Sequence, residues 1–463
     1  MTSVGTPDSA GFRLVDHLVD QRLEHLPAQV IEHTKMLIFD QLGCAYVGAE
    51  LPSGRLALQY ASTLGESRES SITNSAHRMS AVSAAYVNGT AGHAAELDCA
   101  HATTDFRATG HPATVIVPAA VAVADRQCSS GADLIDAVTA GFEAGARTIS
   151  AVGGLSWMRS QHGLYGGCLH SIGASIASAK LLGLDTDTTL HAAALTVAQA
   201  VSPVAFFGER RHISKSITKG GQPATAGVAG ALQAAAGLEG IDDIFGASGG
   251  IIDTWGEPGR ESALTDGLGE DYAVLGANFK FYAAGYPIHS AVEAAVGLLA
   301  DNDLDADQVE SATVGMPAFA ASVVDSRNMP TICMQDMLSV AMVAGGLGFE
   351  EAHSAALLEH PQVSRLRKAV TVYVDAELER NQPHGRGSRV TLRTKSGQVS
   401  RLIEHPRGHR FRENNVTWDL LQDKWQPVLE PRIGARRFSE LLASSSELEG
   451  IDDVRSVTSL MTG

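Results

Sequence analysis

The stretch ATVIVPAAVAVAD, residues 113–125, decides the fold. It is apolar on every face, as a buried helix is, and too short and alanine-rich to span a bilayer. Working outward, Gly131–Val152, Leu169–Leu182, Thr188–Ala200 and Thr225–Gly237 repeat the same Ala/Gly-rich composition at helical period. Gly183 and Gly237 read as helix C-caps. Towards the N-terminus, Phe12, Leu14, Val15, Leu18, Val19 and Leu23, then Val30, His33, Met36, Leu37 and Leu42, predict two amphipathic helices across 11–48, the second opening near Pro27. Strands do not alternate with helices and no Rossmann glycine fingerprint occurs, so a doubly wound sheet is not expected. After about residue 269 the character changes. Val309–Met316, Val370–Glu377 and Arg389–Glu404 alternate as strands do, with Val390, Leu392 and Thr394 on one face and a hairpin turn at Lys395-Ser396-Gly397. Helical segments near 287–301 and 334–346 interleave with them, and 414–463 is helical again. The expectation is a mainly α fold. Residues 1–268 and 405–463 would form one large all-helical domain from both chain ends, with a smaller α+β domain, 269–404, inserted.

The 463 residues are 44 % apolar and 19 % charged, with 35 basic against 52 acidic side chains, a net charge of −17. That balance argues against a general nucleic-acid binder or a protein that coats anionic membranes. The five cysteines include no C-x-x-C pair, which speaks against a disulfide framework, a structural zinc site and a cysteine-ligated cluster. Met1 to Arg13 carries no basic region followed by an apolar one, so no signal peptide is read and a reducing cytoplasmic location is expected.

Four polar clusters interrupt the apolar helices. The first runs from Asn88 through His93, Glu96 and Asp98, continues through His101, Thr103, Asp105 and Arg107, and ends at His111-Pro112. Carboxylate and imidazole are costly to bury unless paired or used, and together they serve as general base and acid near neutral pH. A capped polar loop, with Thr109 or His111 near the following helix, is the plain alternative. The second, Glu209 to Gly221, holds Arg210, Arg211, His212, Lys215 and Lys219, an anion-receptor composition. Gly220-Gly221 would let backbone approach a ligand just ahead of a helix N-terminus. A solvated basic face is the alternative, and without G-x-x-x-x-G-K spacing no nucleotide is implied. The third, Lys280 to His289, offers one lysine and one histidine among small residues; alone, it reads more simply as a surface lysine and a core histidine. The fourth holds His162, Tyr165 and His170 among glycines and suits a pocket lining or packing alike. His405, Arg407, His409, Arg410 and Arg412 read as a surface turn. No H-E-x-x-H or other metal-ligand spacing is found, and no G-x-S-x-G elbow.

Taken together these stretches resemble the MmgE/PrpD family. The resemblance rests on NGTAGHAAELD (88–98), HPATVIVPAA (111–120), SAKLLGLD (178–185), KGGQPATAGVAGAL (219–232), KFYAAGYPIHSAVEA (280–294) and HPRGH (405–409), in order along nearly the whole chain. It implies a helical domain from both chain ends with an inserted α+β lid, a homodimer, no metal or organic cofactor, and small di- or tricarboxylate substrates. Position by position, Asp98 matches an acidic residue of the family's active-site run, His111 the histidine of its H-P motif, Lys280 its K-x-Y lysine, and His289 the histidine opening the next helix. In the K-x-L-H-x-G motif the histidine falls on Lys219 and the lysine on Ser216, beside Lys215. A family histidine falls on Leu164, leaving His162 and Tyr165 as neighbours, and a tyrosine of decarboxylating members is replaced around Asp336.

The resemblance implies chemistry through a carbanion next to a carboxylate. Lys219, Lys280, Lys215 and Arg107 would clamp carboxylates, His111 would be the acid/base, and Asp98 or Thr103 would orient it or the leaving hydroxyl. Dehydration of a 2-methylcitrate-like hydroxy acid is the first expectation, with decarboxylation or epimerisation as alternatives. A non-catalytic carboxylate-binding homologue is the reading from a different class.

Overall fold

The structure is a computed structural model describing residues 8–412 and 416–463. The stretch that opens the sequence reading is the helix Ala113–Gln127, with residues 113–125 all buried. Ala81–Ala94, Gly131–Ala151, His170–Leu181 and Gln222–Ala235 pack around it and on one another. The small residues explain how. A Cβ placed on Gly173 would lie 2.3 Å from the Gly141 carbonyl oxygen, and one on Gly220 would lie 2.0 Å from that of Gly89. These helices touch backbone to backbone, which larger side chains forbid.

Helices Ala10–Asp20 and Ala28–Gly48 form where the period predicts, the first capped by the Ser9 hydroxyl, which accepts from Phe12 N at 3.0 Å. The C-terminal helices Trp418–Ile433 and Ala435–Ser446 pack on Ala28–Gly48. Trp425 is fully buried against Gly43, and its Nε1 donates to Asp40 Oδ1 at 2.7 Å. The two chain ends therefore share one packed layer. No helix among the described residues is long and apolar enough to cross a membrane.

The strands β6 (Val309–Met316), β7 (Val370–Val374), β8 (Ser388–Thr394) and β9 (Gly397–Ile403) form a four-stranded sheet in the order β7-β6-β8-β9. Its β6–β7 pair is parallel and the others antiparallel. Val390, Leu392 and Thr394 are buried, and helix His289–Asp301 packs on β8 and β9. The strand expected over Val370–Glu377 stops at Val374 because the Asp375 carboxylate accepts from Glu377 N and Leu378 N at 3.0 and 3.2 Å, capping a helix, Ala376–Asn381.

Two further departures bear on the site. The part expected to be all-helical is not: β1 (Ser70–Ser71) and β2 (Arg78–Met79) pair antiparallel, as do β3 (Ala100–Ala102) and β4 (Ala108–Gly110), and β5 (Ala277–Asn278) joins β3. Buried backbone in that polar loop needs partners, and the ladder supplies them. Gly220-Gly221 does not precede a helix either. Ser214–Ser216, a π turn Ile217–Gly221 and Gln222–Ala235 form one continuous helical run, so the glycines serve close helix contact rather than anion binding.

Candidate active site

Helix Ala81–Ala94 gives way at Ala95, and Glu96 follows with φ +55°, a left-handed conformation that non-glycine residues seldom adopt. The turn buries His93, Glu96 and Asp98 together. Glu96 accepts from Lys280 Nζ at 2.9 Å and lies 2.7 Å from His212 Nε2, and it also contacts Lys215 Nζ. Asp98 Oδ2 lies 3.0 Å from both His93 Nδ1 and His111 Nδ1, and its Oδ1 lies 3.6 Å from Lys280 Nζ. Two buried carboxylates thus form a hub compensated by lysines, the condition under which buried charge is tolerated. Burial pushes the Asp98 carboxyl up, but His93, Lys280 and His111 outweigh it and hold the group well below the usual range.

His111 Nδ1 is also 3.0 Å from the Cys99 carbonyl oxygen. Both of its neighbours are acceptors, so Nδ1 carries the proton and Nε2 keeps a free lone pair. Burial, with the Lys219 charge adding to it and Asp98 opposing, lowers the His111 pKa to about 4, leaving a neutral imidazole at pH 7. His111 lines a partly open cavity of about 120 Å³ together with Lys215, Lys219 and Tyr165. Lys219 Nζ stands 5.1 Å from the centre of the Tyr165 ring and 5.4 Å from that of Phe207. Burial first, then the charge of Lys280, lowers its pKa to about 7. Burial, then the charges of Lys219 and Lys280, push Lys215 well down, and burial lowers His212 to about 4.

Of the residues singled out in the sequence, His111, Lys215, Lys219 and Tyr165 line the cavity, with Asp98 and Lys280 directly behind His111. Lys280 is fully buried rather than a surface lysine. His289 lies behind the wall, its Nε2 3.2 Å from the Ala284 carbonyl and its ring against Tyr282 and Tyr286. Five others are elsewhere. Thr103 accepts from Arg107 N at 3.0 Å and ties up its own loop, and Arg107 pairs with Glu257 at 2.7 Å, so neither reaches the cavity. His162 is exposed at the end of helix Gly154–His162, and Leu164 takes the lining position. Arg210 and Arg211 are exposed too.

Glu96 and His212 lie within the first and second clusters but carry no individual role in the sequence reading; their pairing arises only where distant segments converge. Arg386 and His384 were not singled out at all, though they line the cavity; the glycines flanking Arg386 are the only signal. The 405–412 stretch is not simply a surface turn. His409 is buried, stacks on His405 at 4.4 Å between ring centres, and reaches the cavity. Folding also gathers two three-residue sets that spacing did not reveal, His93/Asp98/His111 and His93/Glu96/His212, with ligand atoms within 4.8 Å of one another. Lys280 already supplies positive charge to both carboxylates.

The sequence model of the MmgE/PrpD N-terminal domain matches residues 13–260, and that of the C-terminal domain residues 282–448. A cis-aconitate decarboxylase-like protein of Aspergillus oryzae is 25 % identical over 97 % of this chain and 96 % of its own length. A cis-aconitate decarboxylase of Aspergillus terreus is 27 % identical over 58 % of this chain and 56 % of its own, and one of Homo sapiens 26 % identical over 50 % and 47 %. Two domain matches in order, the first alone spanning more than half the sequence, join the 88–98 and 280–294 motifs, which meet at one buried hub: the chain belongs to the MmgE/PrpD family.

Proposed function

We propose that this chain is a lyase that forms a carbanion next to a carboxylate of a small di- or tricarboxylic acid. The observation that carries the reading is that His111 and Lys219, two proton-transfer groups with opposite protonation preferences, line one cavity. Neutral His111 Nε2 takes the proton from the carbon beside a substrate carboxylate. The charge that develops on that carboxylate is met by the Lys219 ammonium, in a cavity lined mostly by apolar surface. Asp98, through the Nδ1 hydrogen bond, holds the imidazole tautomer and stabilises the imidazolium that forms.

Dehydration of a 2-methylcitrate-like hydroxy acid uses both groups: His111 removes the C–H proton, and protonated Lys219 gives a proton to the hydroxyl that departs as water. Decarboxylation is the second reading, favoured by relatives described as cis-aconitate decarboxylases. There CO2 leaves and the carbanion takes its proton from Lys219. Epimerisation would return the proton to the opposite face. The division into a helical part (1–268 and 405–463) and a lid (269–404), a homodimer, independence of cofactors and a cytoplasmic location belong to the same proposal.

The test is EDTA-treated protein in deuterated buffer with methylcitrate, citrate, cis-aconitate and iminodisuccinate, followed by proton NMR. A new alkene marks dehydration, a lost carboxylate decarboxylation, and deuterium exchange without net loss epimerisation. Binding of these acids with none of the three changes would return the chain to the class of carboxylate-binding homologues.

A further inference from the structure

Most cationic side chains around the hub are already neutralised: Lys280 and Lys215 stand on Glu96. Arg386 is different. It lies just before β8 and lines the cavity with His384 and Gly385. Its Nη1 donates to the carbonyls of His384 and Gly385, at 2.7 and 2.9 Å, and its guanidinium lies 5.0 Å from the centre of the Phe319 ring. No carboxylate among the described residues pairs with it. Arg389, three positions on, has two such partners, Asp375 and Glu377. Nε and Nη2 of Arg386 make no hydrogen bond among the described residues, yet neither is sealed off from solvent. Arg386 thus lines the cavity with Nη1 held by its own loop and an Nε–Nη2 edge left unused, and two parallel donors match a carboxylate.

We infer that this Nε–Nη2 edge of Arg386 receives a carboxylate of the substrate, remote from the reacting carbon at His111 and Lys219, and so makes Arg386 the residue that demands a second carboxylate. The inference rests on the reading of the cavity as a polycarboxylate site. The loop bonds hold the guanidinium in place before ligand arrives, so little side-chain freedom is lost on binding. Lysine could supply the charge but not the paired donors.

Calorimetric titration with tricarballylate, glutarate and butyrate tests this without requiring turnover. Arg386→Met should weaken tricarballylate and glutarate by roughly 10- to 100-fold, the scale of charge-assisted hydrogen bonds, and leave butyrate unchanged. Arg386→Lys should recover only part of the loss. The melting temperature without ligand should match the unsubstituted protein, since the side chain bonds only to its own loop. Unchanged tricarballylate affinity in Arg386→Met, or equal weakening of all three acids, would overturn the inference. If the unsubstituted protein binds none of the acids, both this inference and the polycarboxylate reading fall. If it binds them but turns over nothing on the NMR panel, only the proposed reaction falls.

Discussion

Glu96 and Lys280 lie 184 positions apart in sequence and meet at 2.9 Å with both side chains almost wholly removed from solvent. The pair joins the turn after helix Ala81–Ala94 to the segment following β5, so the hub exists only when both parts of the chain are in place. Removing one partner from such a pair leaves an uncompensated buried charge. Glu96→Gln should therefore lower unfolding free energy by about 3–5 kcal/mol in a denaturant titration. Adding Lys280→Met should recover part of that loss; no recovery would mean the ion pair is not what stabilises the turn.

His111 offers its Nε2 to the cavity while Asp98 and Cys99 hold Nδ1. A positioned general base contributes about 10²–10⁴-fold. His111→Ala should lose activity on the identified substrate by at least that lower factor while keeping its circular dichroism spectrum and melting cooperativity. A folded, fully active variant would remove His111 from the chemistry.

The two cavity groups set a pH window. His111 becomes a usable base as pH rises through about 4, and Lys219 loses its proton as pH rises through about 7. The profile of kcat/KM should rise on the acid side and fall on the alkaline side of that interval, because it reports ionisations of the free enzyme. An anionic ligand favours the charged lysine, so binding above about pH 7 should take up a proton, measurable by calorimetry in buffers of different ionisation enthalpy. Lys219→Arg should push the alkaline limb to higher pH; an unmoved limb would assign it to another group.

Gly220 and Gly89 let two helices touch beside Lys219. A Cβ on Gly220 would fall 2.0 Å from the Gly89 carbonyl oxygen, so Gly220→Ala must part the helices. The cost should be about 1–3 kcal/mol, read as a lower melting temperature, and activity should fall with it. Gly346, with nothing within 4 Å of the added atom, gives the matched control: Gly346→Ala should stay within about 0.5 kcal/mol.

Period and composition made the helices and the β6, β8 and β9 strands legible, because burial on one face or all faces leaves a local imprint. The end of β7 was misplaced because Asp375 caps a helix, and a cap competes with a strand pattern one residue at a time. Of the residues gathered at the candidate cavity and the hub behind it, those inside dense motifs were singled out in the sequence: His111, Asp98, Lys280, Lys219, Lys215 and Tyr165. Arg386 and His409 were not. They sit on loops with no period, and only tertiary convergence brings them to the cavity. Gly220-Gly221 was misread because a glycine pair that cradles a ligand and one that lets helices touch look alike in a single sequence. Thr103 and Arg107 illustrate the reverse error, since polar residues next to a site in sequence can be spent elsewhere, Thr103 within its own loop and Arg107 on Glu257.

The π turn at Ile217–Gly221 makes comparison with relatives a problem of phase. A π bulge adds a residue to a helix, and one residue is worth about 100° of rotation. Lys215 and Lys219 precede or sit within this wide turn, while Gln222–Ala235 follows it on a shifted wheel. A chain lacking the extra residue would have to carry its cation at a different position to aim it into the same space. Across this turn equal spacing in sequence is not equal facing in space, so the aim of Lys215 and Lys219 is set by the wide turn and not by the wheel of Gln222–Ala235.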